Sequence, residues 1–420
     1  MAKDALGILV GGGPAPGINA VIAAATMEAA RNGLRTIGIL DGYQHLVRGD
    51  VSQVVELSPE GVARIQTTGG SILRTSRTNP AKDEKSLQNC VDALERLGVR
   101  YLLAIGGDDT TYGASRIAAL TNGQLGVVTV PKTIDNDLPL PDDAPTFGFE
   151  TARAVATAVV TSLIEDARTA QRWYLVVSMG RKSGSLAVGM CSSAGAALAV
   201  IPEEFQSDEL QLEPVVDTIV GAIIKRKAAG YNHGVAVIAE GIAEHLAPDA
   251  LSGLRGVSKD AYGHVRLADV PLGTVLRDAV RRRCSDLGVS TTVLTKDIGY
   301  ELRCAQPVAF DVEYARSLGY GAFRYLLSGE SGALIALSRG DAVPLRLQDI
   351  VDPKTGRIRV RSVNVKSAAY QIARRYMVHL DAEDFREPQL SRLAAQTKFT
   401  PAQFREAFEG LISEPAVAAT

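Results

Sequence analysis

Apolar runs of five or six residues recur along the chain. Each is followed by a glycine-rich or charged loop, and several then by apolar positions at helical spacing. The runs Leu6–Val10, Thr36–Leu40, Tyr101–Ile105, Leu125–Val130, Trp173–Ser178, Gly234–Ala239, Val289–Leu294 and Ala333–Leu337 predict strands buried on both faces. Helical periodicity predicts helices over Ile18–Ala30, Lys85–Leu97, Ala114–Leu120, Gly148–Ala167 and Asp311–Leu327. Repeated strand–loop–helix order predicts the α/β class, with mainly parallel sheets flanked by helices. Asp381–Ala418 carries a helical pattern without strands and reads as an appendage. A length of 420 residues calls for two lobes.

Composition narrows this little: 46% hydrophobic and 22% charged is ordinary for a globular protein. A net charge of −2 gives no global attraction to nucleic acid or an anionic membrane, so any phosphate chemistry must rest on local cations. Cys90, Cys191, Cys284 and Cys304 form no CxxC pair, as expected of a reduced cytoplasmic protein without a metal–thiolate site. Met1-Ala2-Lys3-Asp4 runs straight into a strand, with no signal peptide visible. Ser185–Pro202, a nearly uncharged stretch, is short for a membrane span and is expected to be a buried helix.

The chemistry gathers after the strands. Pro131-Lys132-Thr133-Ile134-Asp135-Asn136-Asp137-Leu138-Pro139 sets two carboxylates beside a lysine between prolines that restrict the backbone. Read alone, it is either a site or a proline-bounded turn. Gly11-Gly12-Gly13-Pro14-Ala15-Pro16-Gly17 sits between strand and helix, where backbone N–H groups can face an anion. It is neither a dinucleotide fingerprint, since Pro16 takes the place of the last glycine, nor a Walker A loop. Thr67 to Arg77 is a glycine and hydroxyl loop carrying Arg74 and Arg77. Gly106-Gly107-Asp108-Asp109 offers two acids where capping a helix needs one. Met179-Gly180-Arg181-Lys182, Glu240-Gly241 and Thr295 to Arg303 follow later strands in the same way.

Together these loops resemble the phosphofructokinase family, on GGGPAPG at 11–17, GGDDT at 106–110, PKTIDND at 131–137, MGR at 179–181 and the Tyr300/Arg303 segment, in family order across roughly residues 6 to 330. The resemblance implies two Rossmann-like lobes with the active site in the cleft between them. It implies a phosphate-donor lobe from 1–145 plus about 270–310, a sugar-phosphate lobe from 146–269 plus about 311–375, and an appendage from 376–420. It implies phosphoryl transfer to the 1-hydroxyl of fructose 6-phosphate with Mg²⁺, in a cytoplasmic homodimer or homotetramer. By that resemblance Asp135 is the general base, Asp108 holds the metal–phosphate complex, and Asp137 is its electrostatic companion. Thr133 contacts substrate, Arg181 is a cation near the transferring group, Met179 and Gly180 shape the sugar pocket, and Glu240 holds sugar hydroxyls. Arg303, with Tyr300 beside it, meets the 6-phosphate, while Arg172 and Lys296 reach a neighbouring subunit's site. Gly12, Gly13, Gly107 and Arg77 contact the donor phosphates.

Asp109 and Lys132 stand where many ATP-using members have glycine, and both are features of the pyrophosphate-dependent branch. Asp109 would repel a nucleotide α-phosphate, and Lys132 can neutralise a phosphate leaving group. The expected donor is therefore pyrophosphate, with an ATP-dependent enzyme as the alternative and a silent regulatory subunit as a remote one. Tyr300 and Lys296 also depart from the histidine and arginine of many ATP-using members.

Overall fold

The computed structural model describes residues 4–205, 209–247, 271–352 and 358–412. The strands are β1 (Ala5–Val10), β2 (Arg35–Ile39), β3 (Val54–Leu57), β4 (Val99–Gly106), β5 (Gly126–Pro131), β6 (Trp173–Ser178), β7 (Leu198–Val200), β8 (Gly234–Ala239), β9 (Val293–Ile298), β10 (Ala333–Ser338) and β11 (Asp341–Arg346). They fall into two units, one drawn from 1–152 and 300–361, the other from 153–260, 264–299 and 362–420.

The first unit holds a seven-stranded sheet in the order β11-β10-β5-β4-β1-β2-β3. Its inner pairings are parallel, and only the outermost β3 and β11 run antiparallel to their neighbours. From β1 the chain builds outward to β2 and β3, then returns to lay β4 on the other side of β1. That reversal opens a crevice at the carboxyl ends of β1 and β4, where α/β sheets bind ligands. All six residues of β1 are buried, as its uninterrupted apolar run requires. Helix Ile18–Arg31 packs on helix Ala309–Leu327 so closely that a Cβ at Gly319 would stand 2.5 Å from the Val21 carbonyl oxygen.

The second unit holds a four-stranded, wholly parallel sheet, β7-β8-β6-β9. Here β6 has β8 on one side and β9 on the other, so its carboxyl end at Ser178–Met179 is the corresponding reversal.

Several expectations are corrected. The strand expected at Val289–Leu294 is Val293–Ile298, so Thr295, Lys296 and Asp297 lie within β9 rather than in the loop after it. Because β9 pairs along β6, residues from Leu272 to Gly299 belong with the second unit and not with the phosphate-donor lobe. Conversely, helix Ala309–Leu327 and β10 join the first unit, β10 pairing in parallel with β5 through Ala333 and Val128. Ser185–Pro202 divides into a helix, Ser185–Ala194, and β7. The expected appendage is part of the second core: Leu380, Phe385, Leu390, Leu393, Phe404 and Phe408 are buried with Trp173, Ile219 and Leu276. Lys225 adds a polar tie, donating to the His379 carbonyl at 2.8 Å and to Asp384 at 2.5 Å.

Candidate active site

In the first unit, Gly12 leaves β1 with φ 81°, a left-handed conformation that glycine adopts at no steric cost. The turn is held by the Gly12 N–H donating to the Ser76 carbonyl at 2.9 Å and by Thr75 Oγ1 donating to the Gly12 carbonyl at 2.6 Å. These bonds bring the Arg77 loop beside the turn. At the end of β4, Gly107 precedes helix Asp108–Leu120 and puts Asp108 and Asp109 in its first turn, where the helix dipole favours negative charge. One Asp108 oxygen, Oδ1, accepts the Ile358 N–H at 3.0 Å.

The Lys132 N–H donates to the Gly106 carbonyl at 2.9 Å, continuing the β4–β5 ladder into the loop. The Lys132 side chain is 6% exposed, and its Nζ donates to the Gly13 carbonyl. Burial and the nearby positive charge of Arg303 push its pKa down to about 8, and Arg77 adds to the effect; Asp135 and Asp137 oppose it. A Cβ at Gly13 would stand 3.3 Å from the Arg303 guanidinium carbon, and one at Gly12 would stand 3.5 Å from Lys132 Nζ. Glycine turn, lysine and arginine thus form one cationic cluster against the two carboxylates of the Pro131–Pro139 loop. Arg303 also stacks over the exposed Tyr300 ring, 5.4 Å from its centroid.

That loop is an ordered turn. Thr133 Oγ1 accepts the Asp135 N–H at 3.1 Å, and the Thr133 carbonyl accepts Thr146 Oγ1 at 2.7 Å. Asn136 takes φ 57°, which its short polar side chain tolerates, and its Oδ1 accepts the Thr146 N–H at 3.1 Å.

In the second unit, Gly180 has φ 132°, and its N–H donates to Glu240 Oε1 at 3.2 Å, joining the loops after β6 and β8. Met179 packs against Gly299, where a Cβ would come within 2.9 Å of the thioether chain. Arg181 pairs with Glu244 at 3.0 Å. Arg172 lies before β6, at the opposite end of the strand from Met179, and is forked on Asp166 with Nε 2.9 Å from Oδ2. In the sheet register Lys296 stands opposite Val176, so Arg172 and Lys296 are separated by about four residues, or roughly 13 Å, along the strand direction.

The structure therefore brings Gly12, Gly13, Arg77, Gly107, Asp108, Asp109, Lys132, Thr133, Asp135, Asp137 and Arg303 to the loops around one sheet reversal. It brings Met179, Gly180, Arg181 and Glu240 to the loops around the other. Tyr300 and Arg303 lie in the first unit, Arg303 beside Gly13 and Lys132. The sequence reading missed Asp311, Arg361 and Glu203. Asp311 is fully buried and accepts the Gly148 and Thr151 N–H groups, both at 2.7 Å, which fixes the start of helix Phe149–Ala170. Glu203 Oε1 accepts the Gly184 N–H at 2.8 Å beyond the Met179–Arg181 turn. Only Arg361 had a visible signal: it closes the apolar–basic alternation of Ile358-Arg359-Val360-Arg361.

Glycine turns backed by a buried lysine at the carboxyl ends of parallel strands suit the handling of phosphate in α/β proteins. The chain belongs to the phosphofructokinase family, whose model matches residues 5–326. It is 51% identical over 391 residues to a pyrophosphate–fructose 6-phosphate 1-phosphotransferase of Thermotoga maritima, covering 92% of this chain and 93% of that protein. It is 48% identical over 417 residues to the protein of that name from Naegleria fowleri, covering 97% and 95%. Among solved structures, the pyrophosphate-dependent phosphofructokinase of Nitrosospira multiformis matches with a TM-score of 0.65 at 17% identity, over 99% of this chain and 93% of that one, a likeness of fold. No helix among the described residues is long and apolar enough to cross a membrane.

Proposed function

We propose that the protein transfers a phosphoryl group reversibly from pyrophosphate to the 1-hydroxyl of fructose 6-phosphate, giving fructose 1,6-bisphosphate and orthophosphate. The observation that carries this is the 51% identity with a pyrophosphate-using relative over nine-tenths of both chains. The chemistry of the first-unit loops supports it. Asp135 accepts the hydroxyl proton, the freed oxygen attacks the terminal phosphorus, and the bond to the bridging oxygen breaks. Lys132 neutralises the departing orthophosphate, with Arg77 and the N–H groups of Gly12, Gly13 and Gly107 holding the donor. On the acceptor side, Thr133, Met179, Gly180 and Glu240 hold the sugar, Arg303 and Tyr300 its 6-phosphate, and Arg181 a transferring oxygen. Arg172 and Lys296 serve a neighbouring copy in a cytoplasmic homodimer or homotetramer.

Among the described residues no three carboxylate, histidine or cysteine side chains form a metal cage. Mg²⁺ is ordinarily held by one or two carboxylates together with substrate phosphates, and the hard oxygens of Asp108 at a helix N-terminus fit that demand. When bound there, the ion would supply neutralisation of phosphate charge. Asp137 adds negative charge beside it, and Asp109 disfavours any donor with a third phosphate.

A coupled assay comparing pyrophosphate with ATP, each with Mg²⁺ and fructose 6-phosphate, tests the reading. Strong turnover with pyrophosphate and little with ATP is expected. Faster turnover with ATP would replace the donor assignment, and no turnover with either would refute the reaction.

A further inference from the structure

Residues 358–361 form a short strap that touches both acidic loops of the first unit. At one end the Ile358 N–H donates to Asp108 Oδ1 at 3.0 Å. At the other, the Arg361 N–H donates to the Asp137 carbonyl at 2.8 Å. The Arg361 side chain then closes on the same loop. Its Nε donates to the Asn136 carbonyl at 3.2 Å, its Nη1 to the Ala144 carbonyl at 2.9 Å, and its Nη2 to Asn136 Oδ1. Asn136 lies between the two carboxylate residues of the loop and in a left-handed conformation. The bond from Thr146 to Asn136 Oδ1 converges on the atom that Arg361 also holds.

We infer that Arg361 is a positioning residue for the phosphotransfer, fixing the Asp135–Asp137 turn relative to Asp108 through this strap. The inference rests on the phosphotransferase reading of these loops. Three features single out arginine. Its planar fork reaches three acceptors spread over Asn136 and Ala144, which a lysine ammonium cannot match in one plane. Its hydrogen-bond targets are neutral carbonyl and amide oxygens, which fix its plane, while Asp143 and Asp137 act on it through charge. And Arg361 stands three residues from Ile358, so a short length of chain links the Asn136 turn to Asp108.

The test compares wild type with Arg361→Ala and Arg361→Lys, using whichever donor the wild type accepts, so that a wrong donor assignment and a wrong role for Arg361 are separated. Arg361→Ala is expected to lower kcat by about a hundredfold, the scale of a 1 Å misplacement, with KM for both substrates little changed. Arg361→Lys should recover part of that loss, and millimolar guanidinium ion should restore part of the activity of Arg361→Ala but none of Asp135→Asn. Hydrogen exchange at the Asp135 and Thr146 amides should quicken in Arg361→Ala while β1 and β4 stay protected. Arg361→Ala with wild-type kcat, or a loss confined to KM, would overturn the inference. So would failure of both variants to fold, which would assign Arg361 to the stability of the fold.

Discussion

With Lys132 in its proposed role, one proton couples stability to catalysis, and the coupling can be measured. Burial holds its pKa at about 8 against a usual 10.5, so the ammonium is disfavoured by roughly 3 kcal/mol in the folded chain. Folding therefore lowers its proton affinity. Between about 8 and 10.5 the unfolded chain binds the extra proton, and stability rises with pH through that window. Replacing Lys132 by methionine removes the charge at near-constant volume and forfeits the bond to the Gly13 carbonyl, worth about 1 kcal/mol. At pH 7 the variant should be more stable than wild type by about 2 kcal/mol, an advantage that fades by pH 10.5. Catalysis should move the other way. In its proposed role the ammonium is the form that neutralises leaving phosphate, so wild-type kcat/KM for pyrophosphate should fall above about pH 8 along a one-proton limb. Lys132→Met should be slow at every pH and lack that limb. Because Arg303 is the largest charge depressing this pKa, Arg303→Met should move the limb to higher pH. Denaturation midpoints at pH 7 and 10 and a pH–rate profile for each protein decide the matter. A Lys132→Met protein less stable than wild type at pH 7, or one keeping the alkaline limb, would refute the reasoning.

Asp135→Asn should lower kcat by about 10²–10⁴-fold, the range for loss of a general base, with little change in substrate affinity; steady-state kinetics at saturating substrate check this. Arg303→Ala should raise KM for fructose 6-phosphate if it holds the non-reacting 6-phosphate, whereas a rise confined to KM for pyrophosphate would fit its place beside Gly13 and Lys132 and reverse the assignment. Asp109→Gly should admit ATP, since two unit charges about 4 Å apart at an effective dielectric near 20 repel by about 4 kcal/mol; a variant as selective as wild type would clear Asp109 of donor choice. Mixing Arg172→Ala with Asp135→Asn protein after dissociation should restore some activity if sites are shared between copies, and confirmed hybrids without recovery would count against it.

What was legible in the sequence was local. Buried parallel strands are written as unbroken apolar runs, so β1, β6 and β8 appear to within a residue or two. The charged loops stand out because they interrupt those runs. β9 was misplaced because its carboxyl half carries Thr295, Lys296 and Asp297, and as an edge strand it tolerates polar residues that a central strand would not. The C-terminal segment read as an appendage because its helices are short and amphipathic. That their apolar faces meet the helix Leu212–Ala228 is a long-range fact with no local mark. The assignment of β9, β10 and helix Ala309–Leu327 to units was reversed for the same reason: pairing partners are set by register across the sheet, not by order along the chain.

The candidate site divides the same way. Residues proposed to act directly, such as Lys132 and Asp135, sit in motifs that interrupt a strand pattern. Residues that fix the surrounding backbone act over long sequence separations: Asp311 reaches Gly148, and Arg361 reaches Asn136. Phosphoryl transfer asks for charges at fixed places more than for unusual chemistry. A flexible loop carrying Asp135 and Asp137 would spend much of its time with both carboxylates turned to water, where their charges are screened. Asn136 is not itself charged, yet it is where Thr146 and Arg361 converge. Placing the anchor between the two carboxylates restrains both residues with one set of bonds. On the proposed reading, catalytic geometry thus depends on a residue whose own side chain reacts with nothing, and whose contacts show only once the chain is folded.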